Sequence, residues 1–288
     1  MKNIYSIIVL LFIIVPIFGQ KIPQVKLNHI YLVIPSQDLI AIQNNDFFTR
    51  NFSSIETRTT KANNGDSWTG TYLYGKDNYL ELFDSLEFQS SVGISGIAFS
   101  VDKIGELLSI KTHLENTYLT EFFQRERNFE NEKVPWFEGL SVVDTIFDMN
   151  SLVGFWIMEY KKEYFIYNKF NFEDSLLTKE SYLSKFSAGN TDKILNRFTG
   201  IVMQLSQYET DYFNILLNKL GYKKSGKTKY TSADNFVFTL NKRTKNSKSS
   251  ILAIEFETNK KIRKRTITIS DNVLVTLSKK KGKILFRN

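Results

Sequence analysis

Three times along this chain the same order of elements recurs: an alternating apolar strand, a helical stretch, then strand-like runs. A recurring supersecondary unit constrains a fold more than composition does, because each copy must bury the same kind of face against a neighbour. The first copy opens with LNHIYLVI, residues 27–34, passes Pro35 and Ser36, and enters a helical stretch from Gln37 to about Phe52. Three strand candidates follow, SIETRTTK, SWTGTYLYG and NYLELFDS, separated by the turn signals NNGD and KD. The second copy opens with GISGIAFSV, and Asp102 serves as N-cap of a helix reaching about Tyr118. Its strands are TEFFQRERNF, PWFEGLSVV and GFWIMEYKKEYF. A polar, helical connection over 168–197 leads to a longer, more divergent third unit over 198–288. There RFTGIVMQL precedes a helix from Glu209 to Leu220, stopped by Gly221. Five strands are expected after it: NFVFTLNK, SILAIEFE, RTITIS, NVLVTLS and GKILF, with SDN and KKKGK as turns.

The N-terminus reads differently. Lys2 is followed by the apolar run IIVLLFIIVPIF and then by Gly19-Gln20, the pattern of a secretory signal peptide over residues 1–19. The run is shorter than the roughly 20 residues a membrane span needs, and Pro16 interrupts it. The expectation is cleavage near Gly19 or Gln20 and an exported protein, periplasmic or secreted, whose paired first two units occupy 20–167. The chain contains no cysteine, which excludes disulfides, a thiolate nucleophile, a thiolate metal site and a lipidated cysteine anchor. With 42% hydrophobic residues the chain can bury a sizeable core.

Charge is distributed unevenly. From Lys219 to Asn288 there are 19 lysines and arginines against 4 acidic residues, so this third carries +15 while the rest of the chain is acidic. Two readings stand: a solvated lysine-rich face, or contact with an anionic envelope surface. No aromatic series alternates with the lysines, so nucleic acid is not an expected partner.

The strand-helix-three-strand unit, with LNHIYLVI, RTT, SWTGTYLYGKDNYLELFD and GISGIAFSVD, resembles the vicinal oxygen chelate superfamily, which includes glyoxalase I, extradiol dioxygenases and bleomycin-resistance proteins. It is more closely similar to a bacterial family of glyoxalase-like proteins, well over residues 27–165 and weakly beyond. The resemblance implies an α+β fold of repeated βαβββ units forming curved mixed sheets with helices on the outside. It also implies a concave face holding one divalent metal through the first and fourth strands of each paired unit. Carried over by position, the ligands are His29, Glu81 and Glu159, while the remaining position falls at Gly96, which has no side chain to donate. One imidazole and two carboxylates suit Fe, and also Zn, Mn or Ni.

The residues themselves leave the alternatives open. A lone strand histidine is more often a hydrogen-bonded core residue than a ligand, and Glu81 could pair with Arg58 across neighbouring strands. Arg58, Tyr31, Trp68, Tyr72 and Tyr74 are candidates to line a ligand pocket, as an arginine clamp and an aromatic wall. The expected function is retention of a small-molecule ligand in a concave cavity, with or without a metal. The alternative is a metal-dependent lyase, isomerase or dioxygenase acting on a small oxygenated substrate. There is no phosphate-cradling glycine loop, no G-x-S-x-G elbow and no H-E-x-x-H pair, and with only two histidines a serine-hydrolase triad has little support.

Overall fold

The structure, a computed structural model, describes residues 22–61, 67–88, 91–130, 132–143, 151–173, 175–244 and 249–287. The expected signal peptide and its cleavage site lie outside the described residues. The fold is α+β, built mostly from two curled mixed sheets with a few short helices. Among the described residues no helix is long and apolar enough to cross a membrane.

The first segment gives β1 (Lys26–Ile34), α1 (Ser36–Asn44), a π-helical turn (Phe47–Phe52), β2 (Ser54–Lys61), β3 (Ser67–Tyr74) and β4 (Tyr79–Asp84). The second gives β5 (Ser95–Ser100), α2 (Glu106–Leu114), β6 (Leu119–Asn128), β7 (Lys133–Val143) and β8 (Val153–Tyr160). Together they form an eight-stranded sheet in the order β2-β3-β4-β1-β5-β8-β7-β6. β1 runs parallel to β4, β5 runs parallel to β8, and β1 meets β5 antiparallel at the centre. The two halves therefore share one strand order, related by a half turn about the β1–β5 seam. Both central strands are buried at nearly every position, polar residues such as Asn28, His29, Ser95 and Ser100 included.

Two helix expectations need correction. The stretch expected as one helix to Phe52 breaks at Asn45, whose extended backbone ends α1 and whose side chain accepts from Phe47 N at 2.9 Å. The second helix starts at Glu106 behind Gly105, which holds φ 87, a conformation glycine adopts without penalty. Asp102, expected as its cap, is instead ion-paired with Lys26.

The connection is also less polar than expected. After α3 (Lys162–Tyr167) and α4 (Lys179–Ser184), its aromatic rings turn back onto the concave face of the sheet. Tyr182 stacks on Tyr160 with centroids 4.7 Å apart, and Phe186 stacks on Tyr74 at 5.0 Å. This segment thus covers the part of that face around Tyr74 and Tyr160.

The third segment gives β9 (Leu195–Leu205), α5 (Gln207–Lys219), β10 (Lys223–Ser225), β11 (Lys229–Thr231), β12 (Val237–Lys242), β13 (Ile251–Thr268) and β14 (Val273–Phe286). Its sheet has the order β10-β11-β12-β9-β13-β14. β9 is parallel to β12 and antiparallel to β13, the arrangement β1 has with β4 and β5. The five strands expected here are three, because SILAIEFE and RTITIS are one 18-residue strand and KKKGK lies inside β14. Gly282 reads as a turn signal but serves a close approach: a Cβ there would fall 2.2 Å from Phe256 Cζ.

The third segment is welded to the other two. Asn78 donates to Phe198 O and accepts from Phe198 N, each at 2.9 Å, so a buried side chain acts as a strand partner for β9. The buried Lys179 donates to Leu27 O at 2.8 Å and to Asp234 at 3.1 Å. Phe52 packs edge-on against Phe256 at 5.0 Å, and one apolar core runs through all three segments. At α5, Ser206 and Glu209 form a capping box, and Glu209 also accepts from Arg243.

Candidate functional site

The concave face of the eight-stranded sheet encloses a cavity of about 1000 Å³. Eleven of its lining residues are Phe, Tyr or Trp, so the walls are largely aromatic, with polar and charged side chains such as His29, Arg58, Glu81 and Arg125 set among them.

Strand register orders these groups in rows across the sheet. One row runs Gly154, Gly96, Tyr31, Glu81, Tyr72 over β8, β5, β1, β4 and β3. The neighbouring row runs Trp156, Ala98, His29, Tyr79, Tyr74. His29 and Glu81 therefore occupy diagonal positions on adjacent parallel strands, and both line the cavity.

The same register corrects the expected ligand set. In the first half His29 pairs with Tyr79, and Glu81 follows two residues later; in the second half Gly96 pairs with Gly154, and Trp156 follows two residues later. The position matching Glu81 is thus Trp156. Gly154, Phe155, Trp156 and Met158 of β8 line the cavity, whereas Glu159 is turned to the α2 side of the sheet. There Glu159 accepts a hydrogen bond from Leu107 N at 3.0 Å, in the first turn of α2. Its carboxylate satisfies one of the orphan donors at a helix start and is not brought together with His29 and Glu81. Among the described residues no group of three or more His, Asp or Glu is placed to hold a metal ion.

His29 is buried, and that burial pushes its imidazole down to about 3, so it is neutral at ordinary pH. A β-bulge at Asn28 lets that side chain reach the ring, and Asn28 Oδ1 lies 2.9 Å from His29 Nδ1. Asn28 Nδ2 donates to Tyr160 OH at 3.0 Å, with the amide oxygen turned to the imidazole. The proton therefore sits on Nδ1 and the lone pair on Nε2. The ring stacks on Tyr79 at 4.4 Å and meets Trp156 edge-on at 5.4 Å.

Glu81 is only 6% exposed. Burial raises its carboxyl to about 7, against hydrogen bonds from Tyr72 and Trp68 and the nearby Arg58 charge. Among the described residues its Oε1 has no hydrogen-bond partner; it lies over Gly70, where a Cβ would come within 2.9 Å. Glycine at that position makes room for the carboxyl. Burial and the Glu81 charge together push the Tyr31 phenol up to about 12.

Of the five residues expected to line a ligand pocket, Arg58, Tyr31, Trp68 and Tyr72 do so. Tyr74 does not; its hydroxyl donates to Glu56 at 2.8 Å under the Phe186 ring. Arg58 stacks over Tyr72 at 4.2 Å and pairs with Glu56 at 3.3 Å rather than with Glu81. Sequence reading missed the opposite wall, where β6 and β7 contribute Phe123, Arg125, Trp136 and Phe137. Alternation in these strands was visible, but which face looks inward depends on the pairing of β7 with β8. Gly154 was missed as well: nothing lies within 4 Å of where its Cβ would be, so it marks open space on the cavity floor.

A model of the family described as "Family of unknown function (DUF5829)" matches residues 27–284. No curated protein matches the sequence. Among solved structures the chain is similar to the crystal structure of a hypothetical protein from Staphylococcus aureus, with 11% identity, a TM-score of 0.52, and coverage of 85% of this chain and 96% of that one. At that identity the likeness concerns the fold alone.

Proposed function

We propose that this chain, which belongs to the Family of unknown function (DUF5829), is an exported small-molecule binding protein whose ligand sits in the aromatic cavity and leaves it chemically unchanged. In this reading the eight-stranded sheet is a pair of glyoxalase-like βαβββ units, and the third segment is a further unit completed by a hairpin. The observation that carries the binding reading is the donor set. The resemblance names His29, Glu81 and Glu159 with Gly96 as the empty position; by strand register Trp156 stands where Glu159 is expected, so His29 and Glu81 can donate whereas Gly96 and Trp156 cannot. Two protein donors fall short of the three or four by which catalytic and structural sites hold a divalent ion. The residues present do not fit such a centre.

What remains suits retention. A flat, largely apolar molecule would lie against Trp156 and Tyr31, over the open floor at Gly154. Glu81, held near neutrality, can donate or accept a hydrogen bond, and His29 offers an acceptor nitrogen on the same wall. Export is supported by the signal-like first residues, Lys2 followed by the apolar run to Phe18.

The test is extraction of the protein purified from its own host, with mass spectrometry of whatever small molecule comes with it and elemental analysis of the same sample. The expected result is a retained organic molecule that is absent from a Gly154→Phe variant of unchanged circular dichroism. Equal occupancy in that variant overturns the reading. So does stoichiometric metal that disappears in His29→Ala. Intact mass of the host-made protein tests export, which requires loss of about the first 19 residues.

A further inference from the structure

The paired strands β13 and β14 extend past the end of β9: β13 pairs with β9 only up to Thr258, and its remaining residues pair with β14 alone. In this extension the register slips sharply. Glu257 pairs with Lys281 while Ile262 pairs with Lys279, so β13 spends more residues than β14 over the same length. The extra residues include Lys260 and Lys261. The bulge is not slack, because Asn259 Nδ2 donates to Asn190 O at 3.2 Å, Lys193 O at 3.2 Å and Leu195 O at 3.1 Å.

The pinned bulge forms one wall of a groove of about 470 Å³, carrying Lys260, Lys261, Arg263 and Arg265 over the apolar Ile194 and Ile262. No acidic and no aromatic residue lines it. None of these four cations has an ion-pair partner among the described residues, nor do Lys279, Lys280 and Lys281 on the adjoining strand. Lys283, further along β14, does pair, with Glu255 at 2.6 Å. Like charges gathered on a pinned surface repel one another, a cost that an anionic occupant would remove.

We propose that this groove binds a linear polyanion of the polysaccharide or polyphosphate type. Three features choose that class. Lys260, Lys261, Arg263 and Arg265 fall within six residues along one bulged strand end, so the charges form a row that a chain of anionic groups can follow. The groove is concave, which suits a chain better than a flat lipid surface. It offers no aromatic platform on which nucleic-acid bases could stack. Arginine supplies paired donors for sulfate, phosphate or carboxylate oxygens, and lysine supplies mobile charge.

The test uses the full-length chain against four probes: heparin, inorganic polyphosphate, a single-stranded DNA oligonucleotide, and vesicles of phosphatidylglycerol in phosphatidylcholine. Heparin and polyphosphate are expected to bind at low salt and to lose affinity steeply as salt rises. R263E/R265E should weaken both roughly tenfold or more, and R263Q/R265Q less. K223E/K224E removes the same positive charge at exposed positions on β10 and is expected to change affinity less than twofold. Equal loss in the two charge-reversal variants would reduce the effect to net charge and overturn the groove. Binding confined to DNA or to vesicles, or none at all, overturns it too.

Discussion

Tyr31 lies across Gly96: a Cβ built on that glycine would fall 2.0 Å from Tyr31 Cε1. The ring fills the space that a side chain on β5 would need, so glycine at position 96 and the placement of Tyr31 go together. Gly96→Ala is expected to destabilise the protein by about 1–3 kcal/mol through overpacking. Tyr31→Ala should relieve most of that penalty, a non-additivity that urea unfolding of the four-member cycle measures. Additive losses would mean that the two positions are not coupled.

His29 and Glu81 shape stability against pH in opposite directions. The His29 imidazole has its proton affinity lowered from 6.5 to about 3 in the folded protein, so as pH falls below 6.5 the unfolded chain takes up a proton that the folded one refuses. Stability then rises with pH between about 3 and 6.5. The Glu81 carboxyl is raised from 4.5 to about 7, so the folded protein keeps a proton that the unfolded chain has released. Stability then falls as pH rises through that window. Between pH 4.5 and 6.5 the two slopes, each up to about 1.4 kcal/mol per pH unit, oppose each other. Urea unfolding across this range should show Glu81→Gln steepening the acid loss and His29→Gln reversing its sign. Parallel profiles for the two variants would contradict the assigned shifts.

Glu159 holds the start of α2, so its removal should be felt as stability and not as binding. Glu159→Ala is expected to cost about 1–2 kcal/mol, in line with other lost helix caps. Amide exchange should quicken in Glu106–Leu114, while occupancy of the cavity ligand stays at the wild-type level. A drop in occupancy without a drop in stability would return Glu159 to the site.

Asn78 is the hinge pin of the third segment. Asn78→Ala leaves the Phe198 N–H and C=O unpaired in a buried place and is expected to cost about 2–4 kcal/mol. The melting temperature should fall and exchange along β9 should rise, with one cooperative transition retained, because the apolar core is continuous across the join. Two separate transitions would show that the segments melt independently.

How much of this was legible beforehand varied with the physics behind each element. The central strands were readable because burial on both faces leaves a dense apolar run, as in LNHIYLVI. That His29 and Glu81 each share a strand face with aromatic neighbours was readable from alternation; that both line one cavity follows from the pairing of β1 with β4. Glu159 was misplaced because a single strand fixes which residues share a face but not which face looks inward; that is set by the pairing of Gly154 with Gly96. The length of β13 and β14 was hidden because lysine and glycine look like turn chemistry. On this ribbon the lysines are simply exposed, and Gly282 is demanded by the Phe256 ring. The aromatic connection was read as polar since its charged residues outnumber the few rings that carry the packing.

The aromatic joints of Phe52 with Phe256 and of Phe99 with Phe238 make the hollow non-portable. Shortening the chain after the second segment would strip the outer side of the sheet that forms the hollow's floor and leave those rings facing water. A nonsense change late in the reading frame should therefore abolish ligand retention while deleting none of the residues that line the hollow. Selection on the last third of the chain would then be felt at a site it never touches.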